Sequence, residues 1–204
     1  MPSDAELRRE IVSTGRAILS DGLVRGTQGN LSARTADGRV LITPAGAAYD
    51  SVSLRNAHHV WVDHNTFTDG YDGAVDIKRG SDFITVSWNR VHNHDKSMLL
   101  GHSDDNASQD TGHLRVTYHH NWFDASTQRH PRVRFGNPVH VYNNYYRNNS
   151  GYGVASTEGA GVLVENNSFE GVSDPFHLGE GDSGPGTLVA RGNLLVSSGA
   201  GQTR

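Results

Sequence analysis

An asparagine returns at one phase of a repeated stretch, and that recurrence limits what the chain can fold into. Six segments share it, aligned on Asn65, Asn89, Asn121, Asn144, Asn167 and Asn193, with steps of 24, 32, 23, 23 and 26 residues. Five residues before each asparagine stands an aliphatic residue: Val60, Ile84, Val116, Val139, Val162 or Leu188. Three before stand Val62, Val86, Tyr118, Val141, Val164 and Ala190, and two after stand Phe67, Val91, Phe123, Tyr146, Phe169 and Leu195. The first two positions lie two residues apart, so on a strand they point to the same side. The asparagine then occupies a bend, and the residue two after it points back inside. One such unit cannot bury its inner face alone. Stacked units can, each strand pairing with its equivalent in the next coil. The asparagine side chains then form a ladder of amide hydrogen bonds, as in other stacked parallel sheets. An antiparallel sandwich has similar strand spacing, but it does not require asparagine at one phase six times. The long step places extra residues between Asn89 and Asn121, expected as a loop on one face, often the binding face.

Composition agrees with this reading. Hydrophobic content is 35% and aromatic content 8%. Both are low for a compact globule, but regular Val/Ile/Phe spacing argues against disorder. The net charge of -4 gives no basic field for nucleic acid. Without cysteine there is no disulfide frame and no thiolate metal site. No run is long enough to span a membrane, and the start MPSDAELRRE has no apolar core of a secretion signal. The 12 histidines show no HExxH pattern, and no GxSxG elbow is present.

The beginning of the chain has another texture. Residues 3–22 read as an amphipathic helix, with Ser3 and Glu6 as a capping box, Leu7, Ile11 and Ile18 as an apolar stripe, and Gly22 as its stop. A turn follows at Gly26 to Asn30. Leu31–Arg34 and Val40–Thr43 then flank Asp37-Gly38, a hairpin signal.

Two charged constellations stand out. Asp63, Asp69, Asp72 and Asp76 crowd one short segment. Asp63 lies between inward positions and so points outward, with Asp72 and Asp76 on the next turn. Converging carboxylates would repel, and a hard divalent cation such as Ca²⁺ resolves that; a solvated acidic loop is the alternative. The Asp spacing does not fit an EF-hand. The basic group is Lys96 with Arg129, Arg132 and Arg134 around Pro131. Arg132 and Arg134 share one strand face, and the guanidinium fork suits carboxylates. A polyanionic ligand bridged to the acids through Ca²⁺ is one reading; a surface network of ion pairs is the other.

The segments Val60-Trp-Val-Asp-His-Asn-Thr-Phe67, Asp72-Gly-Ala-Val-Asp76, His92-Asn-His-Asp-Lys96 and Arg129-His-Pro-Arg-Val-Arg-Phe-Gly136 resemble the family 1 pectate lyases. The resemblance runs strongly from about Tyr49 to Glu170 and more weakly to the end. It implies an all-β, right-handed parallel β-helix over 49–204, truncated at its N-terminal end relative to the family. It implies Asp63, Asp72 and Asp76 as Ca²⁺ ligands, with Asp69 matching no ligand position. Lys96 would bind a substrate carboxylate, with Arg132 in the same binding group. Arg134 would bind substrate and support Arg129, the Brønsted base. The reaction implied is β-elimination on unesterified polygalacturonate, yielding unsaturated oligogalacturonides. Arginine is a weak proton acceptor at neutral pH, so an alkaline optimum is expected. A monomer is expected, extracellular by resemblance, although a chain beginning as this one does would stay cytoplasmic if expressed as given. Residues 1–48 resemble the N-terminus of class II (fuculose-phosphate-type) aldolases. They lack the zinc histidines and catalytic acid that the resemblance would need, so the chain reads as a chimera without aldolase activity. The alternative function is a catalytically inactive polyuronate-binding β-helix.

Overall fold

The structure, a computed structural model, describes residues 32–34, 40–42 and 52–204. The helix expected over 3–22 and the turn at Gly26 to Asn30 lie outside the described residues. The hairpin strands are present: Ser32–Arg34 pairs antiparallel with Val40–Ile42, Ser32 opposite Ile42 and Arg34 opposite Val40.

From Val52 the chain winds through three parallel sheets of six strands each. The first sheet contains Val52–Arg55, Val75–Lys78, Met98–Leu100, Arg132–Arg134, Val154–Thr157 and Phe176–Leu178. The second contains Trp61–Asp63, Ile84–Ser87, Val116–His119, Val139–Tyr142, Gly161–Glu165 and Thr187–Arg191. The third contains Thr66–Thr68, Arg90–His92, Trp122–Asp124, Tyr145–Arg147, Ser168–Glu170 and Leu194–Val196. Each strand pairs only with its equivalents one coil before and one coil after. This is a parallel β-helix, as the repeat requires. The extra residues of the long step leave the first sheet after Leu100 and carry a short helical excursion, Asp104–Asn106 and Ala107–Asp110, before the second sheet resumes at Val116.

The repeat phase sets the interior. Of the positions five and three before each asparagine, all are buried except the half-buried Ala190. Phe123, Tyr146 and Phe169 stack ring on ring inside, with centroids 5.0 Å and 4.2 Å apart. The exception among the positions two after is Leu195, at 39% exposure in the last described coil.

The asparagine ladder runs the length of the stack. Nδ2 of Asn65, Asn89, Asn121, Asn144 and Asn167 donates to Oδ1 of the next asparagine at 2.9–3.0 Å. From Asn89 onward each Nδ2 also donates back to a carbonyl of the preceding coil, such as Val86 O for Asn121 and Tyr118 O for Asn144. The residue before each asparagine has positive φ: 55° at His64, 53° at Trp88, 54° at His120, 53° at Asn143, 56° at Asn166 and 64° at Gly192. For residues other than glycine this conformation costs about 1–2 kcal/mol. The ladder bonds offset that cost, because only this bend turns the amide into line.

Replacing Asn144 by Ala leaves Asn121 and Asn167 without their shared partner in a buried setting. The expected loss is about 3 kcal/mol from the unsatisfied groups. Asn193→Ala, at the partly exposed end, should cost less than half as much. Urea denaturation of both variants checks the contrast.

Candidate active site

The first sheet carries the candidate site on its outer face. Val75 and Ile77, Met98 and Leu100, and Val133 point into the core. The residues between them face out. Strand register sets Asp76, Leu99 and Arg132 in one row. Lys78, Gly101 and Arg134 follow their inward neighbours Ile77, Leu100 and Val133 into the next row. Just before these strands, three successive coils come side by side. The Ala74 N–H donates to Lys96 O at 3.2 Å, and Lys96 bridges to Gln128, the residue preceding Arg129. The repeat thus assembles Asp72, Asp76, Lys96, Arg129, Arg132 and Arg134 around one face.

Asp63 is not among them. It lies on the second sheet, where Oδ1 accepts from Ser87 Oγ at 2.5 Å and Oδ2 pairs with His64 Nδ1 at 2.5 Å. Convergence in a β-helix requires the same phase in successive coils. Asp63 and Asp76 are about half a coil apart, so they sit on different sheets; the in-phase neighbours of Asp76 are Ser53 and Leu99. The expected three-aspartate cluster is therefore not formed. Among the described residues no group of three acidic or histidine side chains is placed to hold a metal.

Asp72 and Asp76 are held differently. Asp72 is exposed and lies 3.4 Å from Lys96 Nζ. Asp76 is buried to 6% exposure, with Oδ2 2.9 Å from Lys78 Nζ and Oδ1 buried without a hydrogen-bond partner among the described residues. A methyl group on Gly73 would lie 2.0 Å from that Oδ1. The glycine of Asp72-Gly73-Ala74-Val75-Asp76 is thus needed for the carboxylate to fold back over the turn.

The arginines form a graded series. Arg134 pairs through Nε with Asp104 and donates to Gly101 O at 3.1 Å. Gly101, at φ 80°, gives it room: a Cβ there would meet Arg134 Cβ at 2.8 Å. The Arg134 guanidinium holds the Asp104 carboxyl below the ordinary carboxylate range; burial opposes this and Ser183 assists. Arg132 donates to Ser183 Oγ at 2.7 Å and to Glu180 O at 3.1 Å. Burial, and next the Arg134 charge, push the Arg132 guanidinium below its ordinary range. Arg129 sits at φ 63°, and among the described residues it pairs with no carboxylate. Its Nε is buried and unpartnered. A face with this many crowded cations gains by taking up an anion.

Sequence reasoning missed Asp104, Ser183 and Glu180. Asp104 belongs to the inserted excursion and Ser183 to a turn beyond the strand Phe176–Leu178, 79 residues away, yet Ser183 Oγ donates to Asp104 Oδ1 at 2.7 Å. The long step marked a loop, but nothing in its residue pattern named its partner.

Comparison with known proteins decides the relationship. The sequence profile of the pectate lyase family matches residues 40–183. The chain belongs to the pectate lyase family. It is 44% identical over 148 residues to pectate lyase E of Dickeya chrysanthemi, covering 60% of this chain and 38% of that protein. It is 50% identical over 106 residues to the pectate trisaccharide-lyase of Thermotoga maritima, covering 50% of this chain and 29% of that one. The chain thus spans about two fifths or less of these relatives' length. Among solved structures, a pectate lyase from Bacillus sp. N165 in complex with trigalacturonate superposes with a TM-score of 0.61 at 37% identity, covering 70% of this chain and 49% of that one. A pectate lyase bound to a hexasaccharide superposes at 0.58 with 35% identity, covering 68% and 41%.

Next to Arg129 lies a fully buried histidine. His130 Nδ1 donates to Tyr152 O at 2.8 Å, and Nε2 lies 2.8 Å from Ser126 Oγ. Burial lowers its pKa to about 4, against 6.5 in the unfolded chain. Between those values the unfolded chain binds the extra proton, so stability falls as pH drops from about 6.5 towards 4. Melting temperatures of the wild type and His130→Gln across that window check this. The variant should lose stability at neutral pH and show a shallower acid decline.

Proposed function

We propose that this pectate lyase homologue cleaves polygalacturonate by β-elimination, with Arg129 as the base. The observation that carries the reading is the contrast among the arginines. Arg134 is neutralised by Asp104, and a terminal nitrogen of Arg132 donates to Ser183 and to Glu180 O although its Nε is unpartnered, while among the described residues the Arg129 side chain has neither an ion pair nor a hydrogen bond. The named complexes of related pectate lyases with trigalacturonate and a hexasaccharide support an acidic polysaccharide as substrate.

The chemistry follows from the substrate. The proton on C5 of a galacturonate unit lies α to the C6 carboxylate and is weakly acidic. A cationic surround lowers the cost of the negative charge that gathers on that carboxylate as the proton leaves. Lys96, on the coil beside Arg129, is placed to take that charge, and Arg132 and Arg134 hold neighbouring carboxylates. Arg129, in its neutral form, accepts the C5 proton on a terminal nitrogen. The C5–H electron pair becomes the C4–C5 double bond, and the C4–O bond breaks. The departing oxygen takes a proton from water. High pH favours the neutral guanidine, hence an alkaline optimum.

Calcium belongs to this reading. The donors fit a hard cation in part: the orphaned Oδ1 of Asp76 is a buried carboxylate oxygen, and Asp72 lies on the same turn. These two residues would hold it, without Asp63. When bound, Ca²⁺ supplies Lewis-acid charge beside the substrate carboxylate.

The test is ultraviolet detection of the unsaturated uronide released from polygalacturonate, with and without chelator. The wild type should form it in a calcium-dependent way, and Arg129→Ala should slow it by about 10²-fold or more. Asp76→Asn should raise the calcium concentration needed for half-maximal rate. Full activity in Arg129→Ala would overturn the assignment. Binding of polygalacturonate without product in the wild type would instead favour an inactive polyuronate-binding β-helix.

A further inference from the structure

Around Arg129 the structure places a second set of side chains that bears no resemblance-based role. Tyr152 is buried at 5% exposure, and among the described residues its hydroxyl has no hydrogen-bond partner. The Arg129 Nε is buried and unpartnered too. Strand register makes the two residues neighbours: Arg132 pairs with Ala155 and the His130 N–H donates to Gly153 O, which sets Tyr152 beside Arg129 one coil on. Two orphaned polar groups side by side in a buried setting are costly unless they meet each other or a ligand.

Tyr152 is fixed from two directions. Its ring stacks on His177, with centroids 4.9 Å apart and planes at 11°. His177 is itself gripped at both nitrogens, Nδ1 2.6 Å from Asp174 Oδ2 and Nε2 3.0 Å from Glu180 Oε2. The main chain of Tyr152 is tied to the residue after Arg129. His130 Nδ1 donates to Tyr152 O, and the His130 N–H donates to Gly153 O at 3.0 Å. Ring and backbone are thus both held relative to Arg129. Burial pushes the phenol up to about 12, outweighing the nearby guanidinium charges, so the hydroxyl stays neutral through the alkaline range.

We propose that Tyr152 is a positioning residue for Arg129: in solution its phenol oxygen closes on the buried Nε–H that this structure leaves unpaired, and so turns the terminal guanidinium nitrogens towards the substrate cleft. The Asp174–His177–Glu180 clamp sets the ring plane. Arg129 as a whole is half exposed although its Nε is not. Its terminal nitrogens are therefore the polar atoms left to meet substrate. This inference rests on Arg129 being the base, and its test separates the two.

Tyr152→Phe keeps the stacked ring and removes only the hydroxyl. On polygalacturonate the variant should lose about tenfold in kcat, the worth of one hydrogen bond to a charged group. KM should stay within twofold and the melting temperature near that of the wild type. An independent readout needs no turnover: hydrogen exchange of the Arg129 Nε–H, followed by NMR of arginine side chains, should be slow in the wild type and at least tenfold faster in Tyr152→Phe. His177→Ala, which frees the ring but keeps the hydroxyl, should give an intermediate exchange rate. Unchanged kcat and unchanged exchange in Tyr152→Phe would overturn the proposal. If the wild type makes no unsaturated product while exchange still responds to Tyr152→Phe, the lyase reading fails and the positioning role stands. If the wild type is active and only exchange is unmoved, the positioning role fails alone.

Discussion

The in-register stacking of coils, fixed by the buried asparagine ladder, is the constraint on which the rest of this structure depends. Each amide bonds forward to the next asparagine and back to a carbonyl of the coil before. A coil displaced by one residue would break both bonds and turn every inward side chain outward. The ladder therefore fixes phase as well as contributing stability, and phase determines which side chains from distant segments become neighbours. The residues before the asparagines accept a left-handed backbone at each coil because the bend is what aligns the amides.

The site is a consequence of that phase. Lys96, Arg129, Arg132 and Arg134 meet because they occupy the same edge and face of one sheet in successive coils. Like charges so close are unfavourable by themselves. The structure relieves the repulsion unevenly: Asp104 from the excursion neutralises Arg134, and Ser183 and Glu180 O hold one terminal nitrogen of Arg132, whose Nε stays unpartnered. Arg129, whose side chain has no ion pair among the described residues, and the orphaned oxygen of Asp76 keep unmet polar capacity on this face. Glycines at 73 and 101 are required on this face because a carboxylate and an arginine side chain pass where a Cβ would stand.

Much of this was legible before any coordinates. The repeat identified the inward residues, the ladder and the stacked parallel sheets, and only Ala190 and Leu195 at the open end depart from their expected burial. The hairpin near Asp37-Gly38 was legible too, because turn chemistry is local. The grouping of Asp63 with Asp72 and Asp76 failed for a specific reason. Nearness along the chain is not nearness in the stack: in a β-helix a separation of half a coil leads to another sheet. Asp104, Ser183, Tyr152 and His177 carried no signal, since they act through loops and turns whose paths the repeat does not govern.

The sequence by itself determined the periodic part of this protein: one inward face, one asparagine line and the spacing that stacks them, because burial and amide pairing at a fixed period admit few other arrangements. It also picked out, through their motifs, the basic residues that gather along the first sheet. Tertiary structure alone decided which charges are neutralised and which are left free. That depends on where the 104–110 excursion and the 180–183 turn come to rest over the first sheet, and their partners lie dozens of residues away. Such contacts are set by the path of the chain in space, which no local pattern encodes.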